Sequence, residues 1–249
     1  MMKKTAILIT GVLLFFGLGV KAQTTESKFG VDSIKTLERT SIYVQYFKQG
    51  SMEEALTSWR YVFLNAPKYS VNTYKRGEDI IGYMLKKTQS KEYFDTLMMV
   101  FDQRIKYFNE EPIVLGRKGV AQFEYGKTHN NTEMVKEAFT SLSKAFELGK
   151  NRTSPQVLDV GLQAGCYLAN HSELTRDQFL GLYMQFSDFV DAQLKTVPDE
   201  RMQRNLAACK DNLDATFFGS GLADCDALIN IFTQKYNENK EDLPTLRII

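Results

Sequence analysis

Apolar residues in this chain recur at the three- and four-residue spacing of a single helix face, and they do so in pairs of segments joined by short polar turns. The stretch KQGSMEEALTSWRYVFLNAP, Lys48 to Pro67, shows the pattern. Gly50 allows a preceding helix to end. Ser51 with Glu54 three residues on forms a capping-box start. Leu56, Trp59, Val62 and Phe63 then line one face, and Pro67 closes the segment. Upstream, Ile34, Leu37, Ile42, Tyr43, Tyr46 and Phe47 make an earlier amphipathic helix. Val31 to Pro67 therefore reads as one helical hairpin.

The same two-helix unit repeats. A helix from Val71 to Lys87 precedes one from Ser90 to Phe108, and Ile113 to Tyr125 precedes Glu133 to Leu148. Ser154-Pro155, a cap with proline at the first helical position, opens a helix to Leu168, and Thr175 with Gln178 opens its partner to Leu194. Pro198 to Thr216 pairs across Gly219-Ser220-Gly221 with Ala223 to Tyr236. Ala55, Ala138 and Ala227 lie 83 and 89 residues apart, two hairpins each time, so the unit is roughly 41 to 45 residues, near the longer helical-repeat periods. With only five prolines and no β-type alternation, the expected fold is all-α, about ten helices in five antiparallel hairpins.

The first 22 residues stand apart. Lys3 and Lys4 precede an apolar run from Ala6 to Val20, and Val20-Lys21-Ala22 places small side chains where a signal peptidase cuts, so a signal peptide over 1–22 and a helical domain over 23–249 are expected. The run is shorter than the roughly 20 residues that span a bilayer, and no cysteine follows the cleavage point to take a lipid. The expected location is the periplasm, without stable membrane insertion. Losing three lysines leaves 28 basic against 30 acidic residues, a net charge of −2, which gives no electrostatic footprint for nucleic acid. Cys166, Cys209 and Cys225 are too few and too widely spaced for a disulfide framework or a zinc site; a Cys209–Cys225 bridge requires the intervening helix to end well before Phe217.

FKQG (Phe47 to Gly50), then EAL (Glu54 to Leu56), Trp59 and NAP (Asn65 to Pro67) resemble the tetratricopeptide repeat. Lys136 to Gly149 resembles it more weakly, and Cys225 to Tyr236 faintly. Tyr43 replaces the glycine of that motif's first helix, and the second hairpin has no small residue at the crossing position. The resemblance implies a right-handed α-solenoid whose first helices line a concave binding surface. Its carboxylate-holding Asn/Lys mode is not expected, because the corresponding positions are Thr40, Ser41 and Val44. At the other end, Leu246, Ile248 and Ile249 make an apolar stub that caps the last hairpin, belongs to a longer relative or pairs with another subunit; sequence does not choose.

No constellation carries evident chemistry. His129 and His171 fall in polar turns, Ser141 and Lys144 fit S-x-x-K without its companion motifs, and Gly219-Ser220-Gly221 is an interhelical turn. Neither an enzyme nor a cofactor or metal is expected. Charge divides unevenly, however. The first helices of hairpins one to three, counted over Lys28 to Gly50, Lys68 to Lys87 and Ile113 to Lys127, carry +2, +3 and +2, against −1, −2 and 0 on the second helices. With the first helices concave, as the resemblance implies, the expected site is a basic groove in which Arg39, Arg76, Arg117 and Lys118, with Tyr43 and Tyr83, meet an acidic peptide or protein. The alternative is a small-ligand or glycan-binding protein, in which those aromatics are exposed for stacking.

Overall fold

A computed structural model of the chain describes residues 27–223, with Ile229 and Thr233 beyond them. Among the described residues there are nine α-helices and no strand: α1 Ser33–Lys48, α2 Met52–Asn65, α3 Val71–Thr88, α4 Lys91–Phe108, α5 Glu111–Thr128, α6 Thr132–Gly149, α7 Pro155–Asn170, α8 Arg176–Thr196 and α9 Glu200–Gly219. Each sits within a few residues of its expected bounds. Most of the expected helix Ala223 to Tyr236, Cys225 included, lies outside the described residues, as do the signal segment and the apolar stub.

Three of the first helices, α1, α5 and α7, end alike. In α1, Gly50 takes φ +77°, its N–H reaches the Phe47 carbonyl, and Ser51 N–H reaches back to Tyr46. This paired closure satisfies carbonyls that the helix end leaves orphaned. Asn130 at φ +50° and Ser172 at φ +61° repeat the arrangement after α5 and α7. α3 ends instead on Gln89, itself at φ +54°; the C-cap residues Gln49, Gln89, His129 and His171 mark off units of about forty residues.

Two capping expectations diverge. Thr175 and Gln178 form a full capping box, each side chain bonded to the other's backbone N–H. Ser51 stands at the N-cap of α2 but makes no side-chain cap bond. Its N–H is held by the turn out of α1, and its ψ of 73° falls short of the extended backbone that aims a cap hydroxyl at the helix.

Burial proceeds in stages along the stack. Trp59, Phe63, Tyr74, Ile80 and Phe101 anchor a cluster spanning α1 to α4; a second joins α5, α6 and α7; a third joins α7, α8 and α9. Ala55 and Ala138 are both fully buried at helix crossings. Gly77 lets α3 approach the ring of Trp59, whose indole N–H donates to the Thr73 carbonyl at 2.8 Å. Helix α7 belongs to two clusters, Val157 and Ala164 facing one way and Leu158 and Leu162 the other, and it packs against α5, α6, α8 and α9. A helix with neighbours on several sides buries a wide apolar face; α7 has the highest share of buried positions of the nine, with Gln156, Asp159, Gln163 and Asn170 confined to one narrow stripe.

Candidate partner-binding cleft

α3 and α5 do not pack closely on one another. The gap between them, continued past the end of α6 to the start of α7, is a cleft of about 790 Å³. Leu97, Phe101, Val120 and Val157 give it an apolar floor, and Glu78, Asp79, Arg117 and Arg152 supply charge around the rim.

One buried cation organises the α3 side. Arg104 of α4 is 3% exposed. Its Nε donates to Glu110 Oε2 at 2.8 Å and its Nη1 lies 3.5 Å from Glu78 Oε2. The other oxygen of Glu78 accepts from Arg117 Nη1 at 2.7 Å. Glu110 is the N-cap residue of α5, yet its carboxylate makes no cap bond, because it turns instead to Arg104. The hydrogen bond from Arg104 holds the Glu110 carboxyl below its ordinary value, against a smaller opposing effect of burial. Asp79 is displaced upward, chiefly by burial, with Arg117 opposing. Hydrogen-bonded to Glu110 and ion-paired with Glu78, the Arg104 guanidinium ties α3, α4 and the start of α5 together and so braces the cleft wall.

Of the six residues expected to form a basic groove, only Arg117 lines this cleft, and Glu78 already neutralises it. Tyr43 is a correction: at 1% exposure, with its hydroxyl 3.5 Å from Thr73 Oγ1, it is a core residue and meets no partner. Tyr83 is 44% exposed, but its hydroxyl donates to Glu53 at 3.3 Å. Arg76 lies over the Phe47 ring at 5.9 Å. Lys118, one residue from Arg117 and hence about 100° around the helix, turns to Asp102 on α4. Arg39 faces a separate pocket on α1 and α2. Sequence reasoning missed Glu78, Asp79, Arg104 and Glu110. The signal for Arg104 was present: Leu97, Phe101, Arg104 and Phe108 share the apolar spacing of α4, and a cation on such a stripe needs a buried partner.

The groups weighed for chemistry have structural occupations. Ser141 donates to Gln122 Oε1 at 2.8 Å, whereas Lys144 pairs with Glu111 at 2.6 Å. His129 stacks on Tyr125 and His171 on Tyr167, each ring Nδ1 donating to that tyrosine's carbonyl at 2.9 and 2.7 Å. Cys209 is buried with its thiol toward the Pro155 carbonyl, and burial pushes its pKa up to about 12. Among the described residues no group of three or more His, Cys, Asp or Glu side chains is placed to hold a metal ion, and no helix is long and apolar enough to cross a membrane.

A helical-repeat chain with an apolar, charge-rimmed cleft is the class that this geometry defines. No family model matches the chain, and no curated protein matches it.

Proposed function

We propose that this chain is an exported, non-enzymatic interaction scaffold: a right-handed, tetratricopeptide-like stack of helical hairpins whose cleft receives a segment of a protein partner. The carrying observation is the cleft itself, about 790 Å³ between α3, α5 and α7, with its wall tied in place by Arg104. The forty-residue recurrence of first-helix ends, the buried Ala55 and Ala138, and the contacts of α7 with both flanking hairpins support the repeat reading. The apolar run from Ala6 to Val20 and the small residues around Ala22 support export.

The cleft's charge changes the partner expected there. Three acids and two arginines line it, rather than a cationic stripe, so it suits an apolar segment with polar flanks more than an acidic one. Small-ligand binding is a second reading, favoured by a volume within the usual range for such sites. A glycan has less support, since Phe101, the aromatic residue on the floor, is 1% exposed.

Affinity capture from the cell envelope with residues 23–249, beside an Ile113→Arg/Arg117→Glu variant, tests the proposal. Ile113 is 59% exposed on the cleft rim, so the variant is expected to fold while its cleft is obstructed. A protein retained by the wild type and lost by the folded variant is the expected outcome. Identical captures by both would refute the cleft as the docking site.

A further inference from the structure

A second, shallower pocket of about 420 Å³ lies on the α1–α2 hairpin. Lys35, Arg39 and Arg60 line it together with Leu56, Tyr61 and Leu64, and no carboxylate does. Arg104, Lys118 and Lys210 each meet a carboxylate within 2.8 Å; the cations of this pocket, of which Lys35 is exposed and Arg39 half-buried, have no contact that close among the described residues. Arg39 is half-buried and makes no ion pair or hydrogen bond among the described residues. Lys35 stands 4.9 Å over the Tyr61 ring. Arg60 has only Glu92, at 3.9 Å and with that side chain 74% exposed, an arrangement that contributes little. Three like charges around one pocket repel one another, and an anion relieves that cost.

The placement of the cations selects among anions. Lys35 and Arg39 are one helical turn apart, about 6 Å along α1, and Arg60 stands on a neighbouring helix whose axis lies about 8–10 Å away. The cations thus stand on two sides of the pocket, on two helices, an arrangement that suits more than one anionic group. The surface between them is concave, and Leu64 is 56% exposed within it, which fits an inserted side chain better than a flat bilayer surface. In an extended segment, residues i, i+2 and i+4 share a face over about 13 Å, so two carboxylates can flank an apolar side chain along one face.

We infer that this pocket, independently of the cleft, binds an acidic peptide segment of a protein partner, two carboxylates meeting Lys35, Arg39 and Arg60 while an apolar side chain between them packs on Leu56, Tyr61 and Leu64. The acidic partner expected from sequence thus belongs to a different surface, and of the six residues expected to meet it, Arg39 lines this pocket.

The test is fluorescence anisotropy of a labelled, end-blocked peptide Glu-Ser-Leu-Ser-Glu with residues 23–249. The wild type is expected to bind it, more weakly as salt rises from about 50 to 500 mM, and not to bind Lys-Ser-Leu-Ser-Lys. Arg39→Glu/Arg60→Glu is expected to lose at least about tenfold in affinity, and the Ile113→Arg/Arg117→Glu variant to bind as the wild type does. Arg39→Gln/Arg60→Gln, with a melting temperature no lower than the wild type's, guards against a folding defect and is expected to show an intermediate loss. No binding at low salt, or equal binding by the charge-reversed protein, overturns the inference. Equal capture of phosphatidylglycerol vesicles through the same three cations overturns the peptide assignment in favour of a membrane surface.

Discussion

A methyl group added at Gly77 would stand 2.5 Å from Cζ2 of Trp59, a ring that is fully buried and hydrogen-bonded through its indole N–H. The ring has no room to swing away. Gly77→Ala should therefore destabilise the fold by about 1–3 kcal/mol in denaturant unfolding, despite alanine's better helix propensity. Ser172 argues the other way. It holds φ +61°, which costs a non-glycine residue about 1 kcal/mol, so Ser172→Gly should stabilise by about 0.5–1 kcal/mol, and Asn130→Gly by less, since asparagine tolerates that region. Arg104→Met removes the cation shared by Glu78 and Glu110, leaving them only Arg117 and, at 4.0 Å, Lys75, and a loss of about 2–3 kcal/mol is expected at neutral pH. Glu110 titrates lower in the folded chain than its ordinary 4.5, so the unfolded chain binds more protons around that pH. Its contribution is full above about pH 4.5 and is lost as pH falls through the folded value. Unfolding curves from pH 7 to 3 should show a shallower acid slope for Arg104→Met than for the wild type.

At the level of elements, the helices were legible because each carries its own start, face and stop. Thr175 with Gln178 and Gly50 are local devices, readable within five residues, and the structure uses both. Ser51 shows the limit: a correct N-cap position does not settle where its hydroxyl points once the preceding turn takes its N–H. α7 shows a second limit, since its wide buried face follows from neighbours that arrive from two other hairpins. That position makes a prediction. Leu162→Ala, at a fully buried site between α7 and the following helices, should cost about 2–5 kcal/mol, whereas Met202→Ala on the exposed side of α9 should stay within about 0.5 kcal/mol.

Across the whole molecule, the three clusters make stability a matter of neighbours rather than of one shared core. Hydrogen exchange of Leu162→Ala should lose protection in α6 to α9 well before α1 to α3; uniform loss along the chain would contradict the staged packing. The same long-range geometry explains why the site was less legible than the fold. Counting charge helix by helix is blind to Arg117 meeting Glu78 from 39 residues away, and Tyr43 and Tyr83, both five residues before the last residue of their helices, differ in burial because Tyr43 packs into the first cluster and Tyr83 does not. The cleft is where a partner is expected to dock. A photo-crosslinking amino acid at position 113, on its rim, compared in living cells with one at 202 on α9, tests it directly. The account predicts a discrete protein adduct from 113 that is absent from 202; the same products from both positions, or none from 113, would contradict it.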